Sequence, residues 1–364
     1  MKNNFLNTLM IQCILFASVL FGFCIWHSFY GTPTKIVESA KMVVKSTEKS
    51  IIRATPKVEL SDEVVRTNNI TKKLGNNYIK IKKTTNQLYP ASVREIDETK
   101  QVEIVVFQMS QLFIENDGIS LIKNGRQIDN NSSEGKLFQE KVQVTFDGKS
   151  QMANILIAMD DYYGYILYED EDYIYVVYKE PKEVYDRIIV LDAGHGGKDV
   201  GSEAVFGEWY EKDYNLDIVE RIVKNWNLDN GKIYLTRWED DFYSLSDRVK
   251  FANSLKADLF VSVHCNSADD FDGTGIEVLY KSNSQKQKSK NLARKFVNEL
   301  QQSTGLVNRG VLDGNSIYII HNSKMPTVLL EMGFLTDKKD LKYLAKAENR
   351  ETMAKTVCDV LAND

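Results

Sequence analysis

The stretch RIIVLDAGHGGKDVGS, from Arg187 to Ser202, joins an apolar run to a glycine-rich loop that contains His195. Further apolar runs follow it along the chain: KIYLTR, DLFVSVH, GIEVLY, IYII and TVLLEM. Amphipathic helical stripes lie between them, made by Leu216, Val219, Ile222 and Val223 and by Leu292, Phe296, Val297 and Leu300. A third helix is expected to have Ser246 as its N-cap. Apolar strands alternating with such helices predict an α/β domain with a buried, mostly parallel sheet flanked by helices.

A glycine-rich turn after a strand often binds phosphate, but the spacing here argues against that function. A P-loop requires Ser or Thr after its lysine, whereas Asp199 follows Lys198. The dinucleotide pattern G-x-G-x-x-G also fails, because Asp199 occupies the position of its last glycine.

Metal binding explains the same loop better. His264 ends the run DLFVSVH, so parallel strands would bring it to the sheet edge where His195 lies. Glu211 opens the next helix and Glu331 ends a buried run. Two histidines, one carboxylate and an open position form a catalytic zinc site, and a second glutamate can act as general base. The spacing alone leaves open which glutamate is the ligand, and whether His321 is one.

Several motifs in order resemble the zinc-dependent N-acetylmuramoyl-L-alanine amidases of the amidase-3 family. They are VLDAGHGGKDVGS, EKDYNL, IYLTR, SLSDRVKFAN, ADLFVSVHCNS, GIEVLY, NRGV and MPTVLLEMGFLTD. The resemblance implies that His195, Glu211 and His264 bind Zn²⁺, and that Glu331 is the catalytic glutamate. It also implies a peptidoglycan substrate, cleaved at the amide between N-acetylmuramic acid and L-alanine.

Five other residues lie in or near these motifs, outside the implied ligand set. Asp192, Asp199 and Asn266 are candidate acceptors for the second N–H of a ligand histidine. His321 stands where relatives often have Arg, and we expect it on the surface. Cys265 directly follows a ligand, but alternation along a strand should point it away. An oxidising compartment could pair it with Cys358.

The region 77–183 has a different pattern from the 184–364 catalytic region. Short alternating runs, separated by turn residues such as Asn124-Gly125, predict an antiparallel β-rich accessory domain that could bind the wall. Seven tyrosines could stack on sugar rings, although packing between aromatic strands is favoured. They are Tyr162, Tyr163, Tyr165, Tyr168, Tyr173, Tyr175 and Tyr178.

The N-terminal run from Leu9 to Trp26 is uncharged, and its length lies at the lower edge of the range for a membrane-spanning helix. We therefore expect residues 1–30 to be a transmembrane anchor, or a cleaved signal peptide, followed by a 31–76 stalk. Either case predicts an extracytoplasmic protein, held at the bacterial membrane or secreted. The net charge of −5 gives no indication of a nucleic-acid partner.

The sequence is also compatible with two other functions. The chain could be a non-catalytic wall-binding or regulatory protein on the same fold, although loss of a site residue would then be expected. It could also be a zinc amidohydrolase or peptidase with another amide substrate.

Overall fold

The structure, a computed structural model, describes residues 73–83, 91–96, 101–106, 118–147, 152–170, 172–227, 231–268 and 273–364. The predicted anchor and most of the predicted stalk lie outside these residues. Among the residues described, no helix combines the length and apolarity needed to cross a membrane.

The N-terminal described part consists of two antiparallel sheets. Its elements are β1 (Tyr78–Lys82), β2 (Ala91–Ile96), β3 (Gln101–Val106), β4 (Ile119–Lys123), β5 (Arg126–Gln127), α1 (Ser133–Glu140), β6 (Val142–Asp147), β7 (Met152–Ala158), β8 (Gly164–Glu169) and β9 (Tyr173–Lys179). One sheet has the order β5-β4-β1-β9-β8 and the other β2-β3-β7-β6. Ile79, Ile104, Ile155 and Val176 belong to one apolar core shared by the two sheets. The alternating pattern thus arises because each sheet buries one face.

Several of the seven tyrosines pack within the protein. Tyr165, Tyr175 and Tyr178 are buried. The rings of Tyr163 and Tyr178 lie edge to face with centroids 5.1 Å apart. Tyr162 packs instead against Tyr234 of the following domain. These contacts favour aromatic packing over an open sugar-stacking platform.

The C-terminal part contains the mixed α/β sheet. Its strands are β10 (Arg187–Ala193), β11 (Gly231–Leu235), β12 (Leu259–Asn266), β13 (Ile276–Tyr280), β14 (Asn308–Asp313) and β15 (Thr327–Phe334). The sheet order is β11-β10-β12-β15-β13-β14. Strands β10, β11, β12 and β15 are parallel, whereas β13 is antiparallel to β15 and parallel to β14. The carboxyl ends of the four parallel strands therefore meet the amino ends of β13 and β14 at one edge.

Helices accompany this sheet. They are α2 (Pro181–Val184), α3 (Glu211–Asn225), α4 (Leu245–Ser254), α5 (Lys286–Thr304), α6 (Tyr318–Asn322), α7 (Lys338–Leu344) and α8 (Ala347–Ala362). The predicted stripe of α5 is buried at Leu292, Phe296, Val297 and Leu300. In α3, Val219 and Ile222 are buried, while Leu216 and Val223 pack at the margin of the same core.

Two local predictions were wrong, and one possible disulfide is not formed. The run IYII forms α6 rather than a strand, and it buries Ile319 and Ile320 in one turn while Tyr318 stays exposed. The N-cap of α4 is Ser244, whose hydroxyl accepts a hydrogen bond from the Asp247 N–H. Cys265 and Cys358 are separate buried thiols rather than a disulfide.

Candidate active site

The predicted site residues meet at the sheet edge described above. His195 follows the end of β10, His264 lies near the end of β12, and Glu331 lies in the second half of β15. His264 and Glu331 are register partners on adjacent parallel strands. Glu211 is the first residue of α3, which packs against the same sheet. Parallel pairing therefore brings together side chains that are up to 136 positions apart in the sequence (195 to 331).

His195, Glu211 and His264 form a compact cluster. The Oε1 atom of Glu211 lies 2.8 Å from Nδ1 of His264 and 3.2 Å from Nε2 of His195. One ligand atom from each residue lies within 4.8 Å of the others. The two imidazole rings meet edge to face with centroids 5.0 Å apart. Three potential ligand atoms thus face one small volume.

The glycines of the loop leave room for these side chains. A Cβ on Gly194 would lie 2.3 Å from the imidazole of His264, and one on Gly201 would lie 2.6 Å from Oε2 of Glu211. His195 itself has a φ of 61°, a left-handed conformation that is uncommon for a residue with a side chain. Strain of this kind collects at functional sites, where the surrounding structure enforces it.

Glu211 is a buried carboxylate with a full set of partners. It accepts hydrogen bonds from the backbone N–H groups of Ser202 and Cys265, at 2.9 and 3.2 Å. Burial by itself would raise the pKa of Glu211, but hydrogen bonds with His195 and His264 outweigh burial and hold that pKa far below its ordinary range. The carboxylate is consequently ionised at neutral pH and can bind a cation.

The outer nitrogen of His195 has a fixed partner. Its Nδ1 lies 2.9 Å from Oδ1 of Asp199, which leaves Nε2 facing Glu211. Burial opposes protonation of the ring, but hydrogen bonds with Glu211 and Asp199 prevail and raise the pKa of His195 to about 9. Of the three candidate acceptors from the sequence, Asp199 is the one in hydrogen-bond contact with a site histidine. Asn266 instead donates to Glu277, and Asp192 pairs with Arg248.

Glu331 lies beside the cluster without joining it. Its Oε2 is buried and has no hydrogen-bond partner among the described residues. Burial raises the pKa of Glu331 to about 7; the charges of Glu211 and Glu277 add to this, and those of the histidines oppose it. A carboxylate whose pKa lies near neutrality can both accept and return a proton.

The donor set fits a divalent metal ion. Imidazole nitrogen and carboxylate oxygen bind zinc at about 2.0–2.2 Å, so ligands of one ion lie roughly 3–4 Å apart. Oε1 of Glu211 lies 2.8 and 3.2 Å from the nitrogens of His264 and His195, and ligand atoms of all three residues lie within 4.8 Å of one another. These distances bracket that range. His195, Glu211 and His264 could hold such an ion. Glu331, with its unpartnered oxygen, is the register partner of His264 on the adjacent strand.

Two buried arginines that sequence reasoning did not assign support the loop. Arg237 donates to the carbonyls of Ala193 and Gly194 at 2.9 and 3.1 Å. Arg248 donates to the carbonyl of His195 at 2.6 Å and forms a 2.6 Å ion pair with Asp192. The only sequence signal for them was their position in the motifs IYLTR and SLSDRVKFAN.

His321 and Cys265 do not join the site. His321 is exposed, and its Nδ1 lies 3.2 Å from the backbone carbonyl of Asn315. The Cys265 side chain is buried in the main apolar core of the α/β domain, on the other face of β12 from His264. Alternation along the strand therefore placed Cys265 correctly.

A histidine–glutamate–histidine cluster beside a buried glutamate, at the edge of a mostly parallel sheet, is typical of metal-dependent hydrolases. Comparison with known sequences gives the family. The chain belongs to the N-acetylmuramoyl-L-alanine amidases of the Amidase_3 family, whose profile matches residues 189–363.

Individual relatives match the same region. N-acetylmuramoyl-L-alanine amidase LytC of Bacillus subtilis is 37% identical over 176 residues, which are 48% of this chain and 35% of LytC. YqiI of the same organism is 34% identical over 47% of this chain and 81% of its own length. The solved catalytic domain of CwlV, an N-acetylmuramoyl-L-alanine amidase of Bacillus (Paenibacillus) polymyxa var. colistinus, is 34% identical, with a TM-score of 0.45 over 49% of this chain and 97% of that domain. The chain thus spans about a third of LytC, and residues 77–183 lie outside the family match.

Proposed function

We propose that the protein is an extracytoplasmic peptidoglycan hydrolase that cleaves the amide between N-acetylmuramic acid and L-alanine. The observation that carries the proposal is the cluster of His195, Glu211 and His264 beside the unpartnered carboxylate of Glu331, in a chain of this amidase family. Relatives named as cell-wall amidases, such as the probable cell wall amidase LytH of Staphylococcus epidermidis, support an action outside the cytoplasm.

His195, Glu211 and His264 would hold Zn²⁺. Two nitrogen donors and one carboxylate are the ligand set of catalytic zinc in several hydrolases. Metal binding would displace the proton that the raised pKa of His195 otherwise retains near neutral pH. A zinc ion in such a site makes hydroxide available from water near neutral pH and polarises the carbonyl that is attacked.

Glu331 would act as the general base and acid. Its free Oε2 takes a proton from the attacking water, and the same carboxyl group then donates that proton to the leaving nitrogen of L-alanine. Burial supports this role, because the raised pKa of Glu331 makes the carboxylate a stronger base than an exposed glutamate.

The residues around the ligands would keep them in position. Asp199 holds the ring of His195 through Nδ1, which favours metal binding through the other nitrogen. Arg248 and Arg237 hold the carbonyls on both sides of the loop bend, and so maintain the left-handed backbone of His195.

The test is hydrolysis of purified cell walls by the purified protein, with the released chemical ends identified. We expect new L-alanine amino groups rather than reducing sugar ends, loss of activity with a chelator, and recovery with Zn²⁺. Glu331→Gln should keep the metal but lower turnover by a factor on the order of 100 or more. The matched change Glu348→Gln, at an exposed position of α8, should leave the rate unchanged.

The results also separate the alternatives. A protein that binds walls and metal but releases no new amines would be a non-catalytic binding protein. New amines from another peptide bond would indicate a zinc peptidase with a different substrate. A normal rate for Glu331→Gln would overturn the assignment of the base.

A further inference from the structure

Arg309 lies at an irregularity in the sheet edge beside the proposed site. Ile276 of β13 pairs with Asn308 of β14, but the next residue, Glu277, pairs with Gly310. Arg309 is therefore an extra residue between two regular pairs, and the positive φ of 87° at Gly310 accommodates the bend. Bulges of this kind re-aim a side chain and are common next to active sites.

Two contacts fix the guanidinium group that the bulge redirects. Nε of Arg309 donates to Oε2 of Glu277 at 2.9 Å. The guanidinium carbon lies 4.9 Å from the centre of the Phe334 ring. The other oxygen of Glu277 is already occupied, because it accepts from Asn266 at 2.8 Å. Glu277 thus anchors Arg309 through one nitrogen only.

The other end of the guanidinium is available to a ligand. Within the described residues, neither Nη1 nor Nη2 of Arg309 has a hydrogen-bond partner, and the side chain is 37% exposed. Two parallel N–H groups held in one orientation match the two oxygens of a carboxylate.

The distance from the proposed general base suits a stem peptide. Glu277 of β13 is the register partner of Glu331 on the adjacent strand β15. Arg309 lies on β14, on the other side of β13, and its side chain donates to Glu277. Strands lie about 4.8 Å apart, so the guanidinium lies roughly 5–10 Å from the Glu331 carboxyl. Two extended residues span about 7 Å. A group on the second residue after the scissile amide would therefore reach Arg309 while the leaving nitrogen faces Glu331.

We propose that Arg309 is a specificity residue that binds the free α-carboxylate of the second stem-peptide residue. This inference rests on the proposed function. In a stem peptide whose second residue is D-glutamate linked through its γ-carboxyl, the α-carboxyl is free and lies at this spacing. The enzyme would therefore distinguish a stem with D-glutamate from one in which that carboxyl is amidated to D-isoglutamine.

The test compares two muramyl tripeptides that differ only in that group, a carboxylate or a carboxamide, with the full-length zinc-loaded protein. We expect kcat/KM for the acid to exceed that for the amide by about 10- to 100-fold, mainly through KM, because a charge-assisted pair replaces a neutral contact. Arg309→Gln should abolish this preference by raising KM for the acid, and Arg309→Lys should restore part of it. Arg294→Gln, at an exposed position of α5, is the matched control and should keep the preference.

The outcomes separate this inference from the proposed function. If the wild-type protein hydrolyses neither tripeptide nor whole walls, the proposed function fails. If it hydrolyses both tripeptides equally, or if Arg309→Gln lowers kcat for both alike with KM unchanged, the carboxylate assignment is wrong. The second result would make Arg309 a residue that only positions Glu277. Metal content and melting temperature, measured for each variant, identify a change that merely disrupts the site.

Discussion

Replacing Gly194 with alanine tests whether the missing side chain at this position of the glycine-rich loop is what leaves room for the His264 ring. A Cβ at this position would lie 2.3 Å from Cε1 and Nε2 of the imidazole, about 1 Å short of the 3.4 Å at which ordinary contact begins. The ring cannot retreat freely, because its Nδ1 already lies 2.8 Å from Glu211. The ring must therefore shift by about 1 Å, and a misplacement of that size costs about 100-fold in rate.

The assay for Gly194→Ala measures zinc affinity by chelator competition, wall hydrolysis, and the melting temperature. We expect weaker zinc binding and at least a 100-fold slower reaction, with the folded state largely retained. Gly305→Ala is the control, because no atom lies within 4 Å of the added Cβ although the φ of Gly305 is 69°. It should lose about 1 kcal/mol of stability and no activity per folded molecule. Normal zinc affinity and rate in Gly194→Ala would refute the idea that the loop confines His264.

Two further predictions concern charge. Asp192→Asn leaves Arg248 without its buried counterion and should lower the free energy of unfolding by about 3 kcal/mol or more at pH 7, measured by urea denaturation. Burial alone would raise the pKa of Asp192, but Arg248 and the hydroxyls of Ser262 and Thr236 outweigh burial and hold that pKa below its ordinary 3.8. The contribution of Asp192 to the free energy of unfolding is thus fully present above pH 3.8 and is lost as pH falls through the folded-state pKa. A difference in the free energy of unfolding between wild type and Asp192→Asn that is as large at pH 2 as at pH 7 would contradict this prediction. Second, kcat/KM should decline toward acid pH as Glu331 becomes protonated. Burial raises the pKa of Glu331 to about 7. A bound dication lowers that pKa, and so shifts the decline to lower pH. A rate that stays flat from pH 7 to 4 would exclude Glu331 as the base.

Patterns local in the sequence predicted the elements that position the site. The runs RIIVLD, DLFVSVH and TVLLEM are strands because each is apolar on both faces and buried in the sheet. The run IYII gave the wrong element, since four apolar residues suit either a strand or one buried helical turn. At that position, contacts of Ile319 and Ile320 with the domain core accompany the helix.

The sequence pattern predicted the histidines of the candidate site but not the roles of its glutamates or the place of its arginines, because short patterns do not specify contacts between distant segments. His195 and His264 follow apolar runs, so parallel pairing alone predicts that they meet. The roles of Glu211 and Glu331 came from the family resemblance, because spacing along the chain did not distinguish them. Nothing in the periodicity indicated that Arg237, Arg248 and Arg309 would turn toward this edge.

The sequence by itself determined most of the succession of strands and helices, the glycine loop around His195 and the family, since these depend on short-range patterns and motif order. Only the tertiary structure decided that a buried oxygen of Glu331 is left without a partner, and which arginines hold the loop. The physical reason is that these properties depend on burial and on contacts between distant segments. Asp192 and Arg248, 56 positions apart, form an ion pair because β10 and α4 pack together, and the environment of Glu331 arises from its two neighbouring strands.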